Sequence, residues 1–259
     1  MPNNKSHFLI GYEGNKRQEM DQISKFLEDK LDGIDTIIEP FCGTSAMSYY
    51  LSLKYPKRFR YILNDKNEEL IQLYHLIKNE EQFNLFLVEL NEKVKVIINK
   101  ESYLEAIKPK TFMSWFISNK IRSFKAGFYY PTYKPKKYDF LKCGIINFLR
   151  TENIEVLCCD GTELVKQYQD NKNCMILLDP PYLLSDNSNY KYKDTDVYEY
   201  CKKQGLNTIG CFLVFIVEDN TEIQKLFKDN IKHSYSKQYA NGREKKTTHI
   251  IISNRNYIP

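Results

Sequence analysis

Asp179-Pro180-Pro181-Tyr182 follows directly on the apolar run Cys174-Met175-Ile176-Leu177-Leu178. That order puts a carboxylate, two ring-locked residues and a phenol at the tip of a buried strand, a rigid rim of acceptors beside a flat aromatic face. A planar base bearing an exocyclic amine suits such a rim. The Asp179 side chain and the Pro180 carbonyl can accept its two N–H bonds and draw the nitrogen lone pair toward an electrophilic methyl group, while Tyr182 stacks on the ring. A sulfonium donor is already activated, so alignment and preorganised acceptors suffice, and neither a metal nor a covalent nucleophile is required. A strand that merely stops at a double proline is the plain alternative, and it leaves the carboxylate and the phenol unused.

Three other features carry less by themselves. In Glu39-Pro40-Phe41-Cys42-Gly43-Thr44-Ser45-Ala46 a strand end runs into a helix through Gly43, which allows close approach of a ligand to the backbone but equally allows a simple turn. No GxGxxG is present, which disfavours an ordinary dinucleotide site. Asp65 closes the next strand and could accept two ribose hydroxyls, or cap a helix. Between Asn119 and Lys137, the cations Arg122, Lys125, Lys134, Lys136 and Lys137 alternate with aromatics such as Tyr129. Cations of this kind can pair with phosphates while rings fill the gaps left by displaced bases, although a solvated charged face has the same composition.

The elements that would position these residues alternate. Gln18 to Leu31 reads as an amphipathic helix closed by Gly33; strands are expected at 36–41, 60–65, 154–158, 174–179 and 211–217. Helices follow at 46–53, 68–77, 162–168 and 221–227, and a polar, tyrosine-rich loop is expected from Leu183 to about Lys203. Lys232 to Tyr239 and Thr248 to Ser253 read as an antiparallel hairpin. Repeated strand-turn-helix units imply an α/β fold with a Rossmann-like parallel sheet. From Asn79 to about Arg150 the alternation lapses into helical stretches. The expected division is therefore a sheet domain of 1–78 with 151–259 and an inserted, mainly helical module at 79–150.

A formal charge of +5 over 259 residues raises the case for a polyanionic partner only a little. Seven cysteines without a CxxC pair argue against a disulfide scaffold or a zinc cluster, and four histidines argue against a multi-histidine metal site. No stretch approaches the roughly 20 apolar residues of a membrane span, and no signal-like region follows Met1. A soluble intracellular protein is expected, in the cytoplasm of a bacterium or of a virus- or phage-infected cell.

Taken in order, these residues resemble the DNA adenine methylase (Dam-like, D12 class) family of N6-adenine methyltransferases over nearly the whole chain. Its aromatic-x-Gly-Gly-Lys element is matched by Tyr12-Glu13-Gly14-Asn15-Lys16, its Pro-Phe-x-Gly turn by Pro40-Phe41-Cys42-Gly43, and its Asp-x-Asn element by Asp65-Lys66-Asn67. A recognition segment is resembled by Arg122 through Pro131, and the catalytic motif stands unchanged at 179–182. The resemblance implies a fold that binds S-adenosylmethionine, with Tyr12, Lys16, Pro40, Phe41, Gly43, Asp65 and Asp179 lining the cofactor pocket and Asp160 at its adenine end. It also implies Asp179, Pro180, Pro181 and Tyr182 as the catalytic residues acting on an adenine flipped from double-stranded DNA. The inserted module would then be the target-recognition part, and a restriction endonuclease could be a system partner. The chain departs from the family pattern at Asn15, Ser45, Tyr129, Gly161 and His249, where a glycine, a small glycine, an asparagine, a phenylalanine and a glutamate are usual. Two further functions fit the same residues: N6 methylation of adenine in RNA, and nucleic-acid binding without catalysis on a methyltransferase fold.

Overall fold

A computed structural model describes residues 8–10, 16, 18–121, 134, 136–140, 143–182, 196–238 and 246–254. Five strands, β1 (Thr36–Glu39), β2 (Arg60–Asn64), β3 (Ile154–Leu157), β4 (Cys174–Leu178) and β5 (Phe212–Glu218), run parallel, and the hairpin β6 (Ile231–Gln238) and β7 (Lys246–Ser253) joins β5 antiparallel. The strand order is β3-β2-β1-β4-β5-β7-β6. β1 and β4 are buried at every residue, as expected of near-continuous apolar runs covered on both faces. Their adjacency, with Ile38 opposite Ile176, is the point where the strand order reverses, and the crevice beyond their carboxyl ends is where such sheets bind ligands. This is a Rossmann-like, mostly parallel sheet flanked by helices, with a run of helices between β2 and β3.

The helices are α1 (Met20–Leu27), α2 (Ala46–Lys54), α3 (Glu68–Lys78), α4 (Glu80–Lys95), α5 (Lys100–Ile107), α6 (Phe112–Ile121), α7 (Gly144–Leu149), α8 (Gly161–Tyr168), α9 (Asp196–Gln204) and α10 (Thr221–Phe227). The chain forms two compact units, one of Met1–Asn15 with Glu68–Glu152 and one of Lys16–Asn67 with Asn153–Pro259. α3 therefore clusters with α4 to α7, although its sequence follows a strand of the sheet. The helical unit is packed through rings, with Phe86 edge-on to Phe116 at 5.2 Å between centroids and Phe116 edge-on to Phe140. In the sheet unit, Ile38, Ile176, Leu178, Leu213, Phe215 and Ile250 belong to one buried cluster.

Two expectations are corrected. The first helix stops at Leu27 rather than Leu31; Leu31 is still buried, and Gly33 turns the chain at φ 75°. The polar loop expected up to Lys203 instead contains α9, which buries Val197, Tyr198 and Cys201 on one face and exposes its lysines. The positions i, i+1 and i+4 define an apolar stripe that the surrounding tyrosines and charges obscure. Among the described residues no helix is long and apolar enough to cross a membrane.

Candidate active site

The site is assembled at the carboxyl edge of the sheet, within the unit of Lys16–Asn67 and Asn153–Pro259. Asn64 at the end of β2 knits the strand tips together. Its side-chain amide donates to the Pro40 carbonyl at 2.9 Å and to the Cys159 carbonyl at 3.0 Å, and its oxygen accepts the Cys159 N–H at 2.9 Å. Asn64 is fully buried, so these bonds are strong, and they hold the loops after β1 and β3 to the tip of β2. Nothing in the sequence pattern distinguishes this asparagine from a strand residue with a polar side chain.

The turn between β1 and α2 places Gly43 at φ 46° and Ser45 at φ 54°. Two left-handed positions within three residues favour small side chains, and the serine sits there at a cost of about 1 kcal/mol. Asp65 fixes the turn: its Oδ2 accepts the Gly43 N–H at 3.0 Å and its Oδ1 accepts the Asn67 N–H at 2.9 Å. The carboxylate thus caps as well as bordering the crevice. Thr44 Oγ is buried in the same turn and makes no hydrogen bond among the described residues.

After β3, Asp160 caps α8 by accepting the Thr162 and Glu163 N–H groups, and it pairs with Lys66 Nζ at 3.0 Å. Partial burial works to raise its pKa, but the Lys66 ammonium and the two N–H groups prevail and hold the carboxyl below its usual range. Gly161 is where Phe41 closes in. A Cβ there would lie 2.6 Å and 2.7 Å from Phe41 ring carbons and 3.0 Å from the Pro40 carbonyl oxygen, so only glycine leaves room for the ring.

Asp179 stands one residue beyond β4, and Lys16, just before α1, donates to its Oδ1. Lys16 is 2 % exposed and Asp179 15 % exposed at the side chain, so the pair is largely withdrawn from water. Burial raises the Asp179 pKa against the attraction of Lys16. The Lys16 ammonium also lies 5.3 Å from the centre of the Tyr182 ring, within cation–π range. At the end of β1, Glu39 is 1 % exposed and accepts the Ser48 N–H at 2.7 Å. Burial, only partly offset by that bond, lifts its pKa to about 7, with the charge of Asp179 adding to the shift.

The edge of the sheet supplies groups that the sequence reading passed over. Glu19, 3 % exposed, is paired with Lys237 at 2.5 Å and with His249 Nδ1 at 2.8 Å, and it accepts the Tyr235 hydroxyl at 2.8 Å. Burial opposes its ionisation, but the His249 hydrogen bond and the charges of Lys16 and Lys237 outweigh it and lower the carboxyl to about 2. His249 meets the Tyr182 ring edge to face, 5.5 Å between centroids and 85° between planes. Signals for this group were faint: His249 stood out only as a departure from a family pattern, and Glu19 read as an ordinary helix residue.

Lys16, Pro40, Phe41, Gly43, Asp65, Asp160, Asp179, Pro180, Pro181 and Tyr182 thus all belong to one unit, at or beside the carboxyl ends of β1 to β4. Tyr12, Arg122, Lys125 and Tyr129 lie outside the described residues, while Lys134, Lys136 and Lys137 are exposed in the helical unit.

The residue types present suit an S-adenosylmethionine molecule: a carboxylate that would meet a ribose diol, an acid and an aromatic side chain that would border an adenine, and a cation that would meet an amino-acid carboxylate. Residues 12–241 match the D12 class N6 adenine-specific DNA methyltransferase family. The chain is 28 % identical over 271 aligned positions to the type II methyltransferase M.MjaIII of Methanocaldococcus jannaschii, covering 90 % of this chain and 92 % of that one. Among solved structures it is similar to the N-terminal domain of human METTL16 in complex with SAH (8 % identity, TM-score 0.45, covering 96 % and 74 % of the two chains). It is also similar to a precorrin-6y C5,15-methyltransferase from Geobacter metallireducens (9 %, TM-score 0.43, 96 % and 94 %), and at such scores neither bears on the assignment. The chain belongs to the D12 class of N6 adenine-specific DNA methyltransferases, site-specific enzymes that transfer a methyl group from S-adenosylmethionine to N6 of adenine in DNA.

Proposed function

We propose that the chain acts on an adenine flipped out of double-stranded DNA, with Asp179 and the Pro180 carbonyl as acceptors for the N6 amine, Pro181 as the rigid support of that rim and Tyr182 as the stacking face. The observation that carries this reading is the Asp179 carboxylate, held by Lys16 at the tip of β4 beside the Tyr182 ring. S-adenosylmethionine supplies a methyl carbon activated by its sulfonium. Asp179 and Pro180 turn the N6 lone pair toward that carbon by accepting its two N–H bonds. As N6 gains the N–C bond and the C–S bond breaks, N6 carries one proton too many, and Asp179, whose pKa burial raises, receives it. Unpairing and unstacking the base costs a few kcal/mol, which stacking on Tyr182 helps to offset.

For the cofactor, Lys16, Pro40, Phe41, Gly43, Asp65, Asp160 and Asp179 are assigned to the pocket, with Asp65 for the ribose hydroxyls and Asp160 and Phe41 at the adenine end; Tyr12 is assigned to the cofactor by the family motif alone. Gly161→Ala tests the Phe41 wall. The added methyl cannot coexist with the ring where it lies, and overpacking of this kind costs about 1–3 kcal/mol, so affinity for S-adenosylmethionine should fall roughly 5- to 100-fold by calorimetry. Adding Phe41→Leu should recover part of the loss if strain is its cause; unchanged binding in Gly161→Ala would remove Phe41 from the wall.

The inserted module, 79–150 in the sequence division, is assigned to target recognition, with Arg122, Lys125, Tyr129, Lys134, Lys136 and Lys137 on the DNA. Three of these cations are exposed in the helical unit. Changing Lys136 and Lys137 together to alanine should weaken binding to all duplexes alike. The slope of log affinity against log salt should drop by up to about 1.8, two phosphate contacts' worth. An unchanged slope in mobility-shift titrations would place both lysines off the DNA.

A restriction endonuclease of the same recognition sequence is the proposed system partner, and the cell interior the proposed location. The deciding assay is transfer of labelled methyl groups from S-adenosylmethionine to unmethylated duplex DNA, single-stranded DNA and RNA in parallel. Label appearing as N6-methyladenine in the duplex is expected; label in RNA alone, or in none of the three, would overturn the reading.

A further inference from the structure

The buried ionic group behind Tyr182 is not required by the chemistry derived so far. Tyr235 and His249 face each other across the β6–β7 pairing, and Lys237 lies two residues from Tyr235 on the same strand face. All three converge on one glutamate at the head of α1, with contacts of 2.5 to 2.8 Å. His249 is wholly buried, and Glu19, Lys237 and Tyr235 are within 8 % of being so. Burying such a constellation is seldom a source of stability, because well-packed apolar residues of similar volume commonly do as well or better. What it can supply is a fixed geometry. The His249 imidazole, held by Glu19 through Nδ1, is in turn the ring against which Tyr182 rests edge to face. Glu19 lies one helical turn after Lys16, whose carbonyl accepts the Glu19 N–H at 2.9 Å, so the same short segment steers both the ammonium on Asp179 and the imidazole under Tyr182.

We infer that Glu19 and His249 are positioning residues for methyl transfer: Glu19 locks the His249 ring, and His249 sets the plane of Tyr182 on which the target adenine stacks. This rests on the proposed role of Tyr182. Neither residue belongs to the acceptor set or the cofactor set proposed above. A fold-stabilising group and a positioning group differ in one observable, which is whether the effect passes through Tyr182.

The test is a double-mutant cycle on single-turnover methyl transfer to unmethylated duplex DNA, using wild-type protein, Glu19→Gln, His249→Leu, Tyr182→Ala and the Glu19→Gln/Tyr182→Ala pair. Melting temperature and calorimetric affinity for S-adenosylmethionine are recorded for each. Glu19→Gln and His249→Leu should each slow transfer roughly 10- to 100-fold, the range that loss of one aromatic stacking contact spans, with cofactor affinity within about twofold of wild type. In the Tyr182→Ala background the Glu19 change should cost less than about twofold. If Glu19→Gln does not fold, Tyr235→Phe removes a single hydroxyl from Glu19 and enters the same cycle. Losses that multiply in full on top of Tyr182→Ala, losses that track melting temperature or cofactor affinity, or unaltered rates would each overturn the inference. An inactive wild-type protein would instead count against the proposed function.

Discussion

Asp179→Ala should lower methyl transfer by about three orders of magnitude, because it removes the side chain proposed both to accept from N6 as charge develops there and to take its proton. DNA affinity should stay within a few-fold, since the phosphate contacts proposed for the cations do not involve Asp179. A second consequence is structural. Lys16 is 2 % exposed and paired with Asp179, so the alanine variant leaves a buried ammonium without its carboxylate and should melt earlier than wild type. Asp179→Asn separates the two effects: it keeps the side-chain volume and one acceptor oxygen while removing the charge. Its melting temperature should lie between those of wild type and Asp179→Ala, whereas its transfer rate should stay close to that of the alanine variant. Single-turnover rates measured with mobility shifts and melting curves decide the matter. A folded Asp179→Ala protein that still methylates within about tenfold of wild type would dismiss the carboxylate from the chemistry.

Asp179 could be found from sequence because everything that places it is local. Five apolar residues specify a strand buried on both faces, the two prolines stop it, and the carboxylate must then lie at its tip. The positions of Gly43 and Asp65 were legible for the same reason, each lying between a strand and the helix that follows it. Glu19 was not: its partners come from β6 and β7, more than 200 residues along the chain, and no short-range pattern encodes that meeting. A glutamate in the turn before an amphipathic helix reads as solvated, and only the antiparallel pairing of Tyr235 with His249 turns it inward. α9 was hidden differently. Its three buried residues are spaced correctly, but tyrosine, lysine and aspartate around them dilute the apolar signal to that of a loop. Gly161, noted as a missing ring, proves to be occupied space, since Phe41 fills the volume that a side chain there would need.

Glu39→Gln should stabilise the protein at pH 8 and have little effect near pH 4.5. Glu39 closes β1 at 1 % exposure, and burial lifts its pKa from 4.5 to about 7, with the Ser48 N–H pulling the other way and Asp179 adding to the rise. Between these two values the folded protein holds a proton that the unfolded chain has released, so unfolding releases a proton and stability falls as pH increases. Below pH 4.5 both states are protonated and Glu39 adds no pH dependence; above about 7 both are ionised and the whole penalty has been incurred. A gap of this size corresponds to about 3 kcal/mol. Glutamine retains an oxygen for the Ser48 N–H at nearly the same volume and cannot ionise, so the variant escapes the penalty. Its urea midpoint should therefore match wild type at pH 4.5 and move progressively above it toward pH 8. The chemistry gains from the same arrangement. A carboxyl that stays neutral up to about pH 7 places no second negative charge beside Asp179, and once Glu39 ionises its charge opposes that of Asp179. Wild-type methyl transfer should accordingly respond to pH near 7 in a way that Glu39→Gln does not. Midpoints for the two proteins that differ by a constant amount from pH 4.5 to 8 would show that Glu39 is already ionised in the fold.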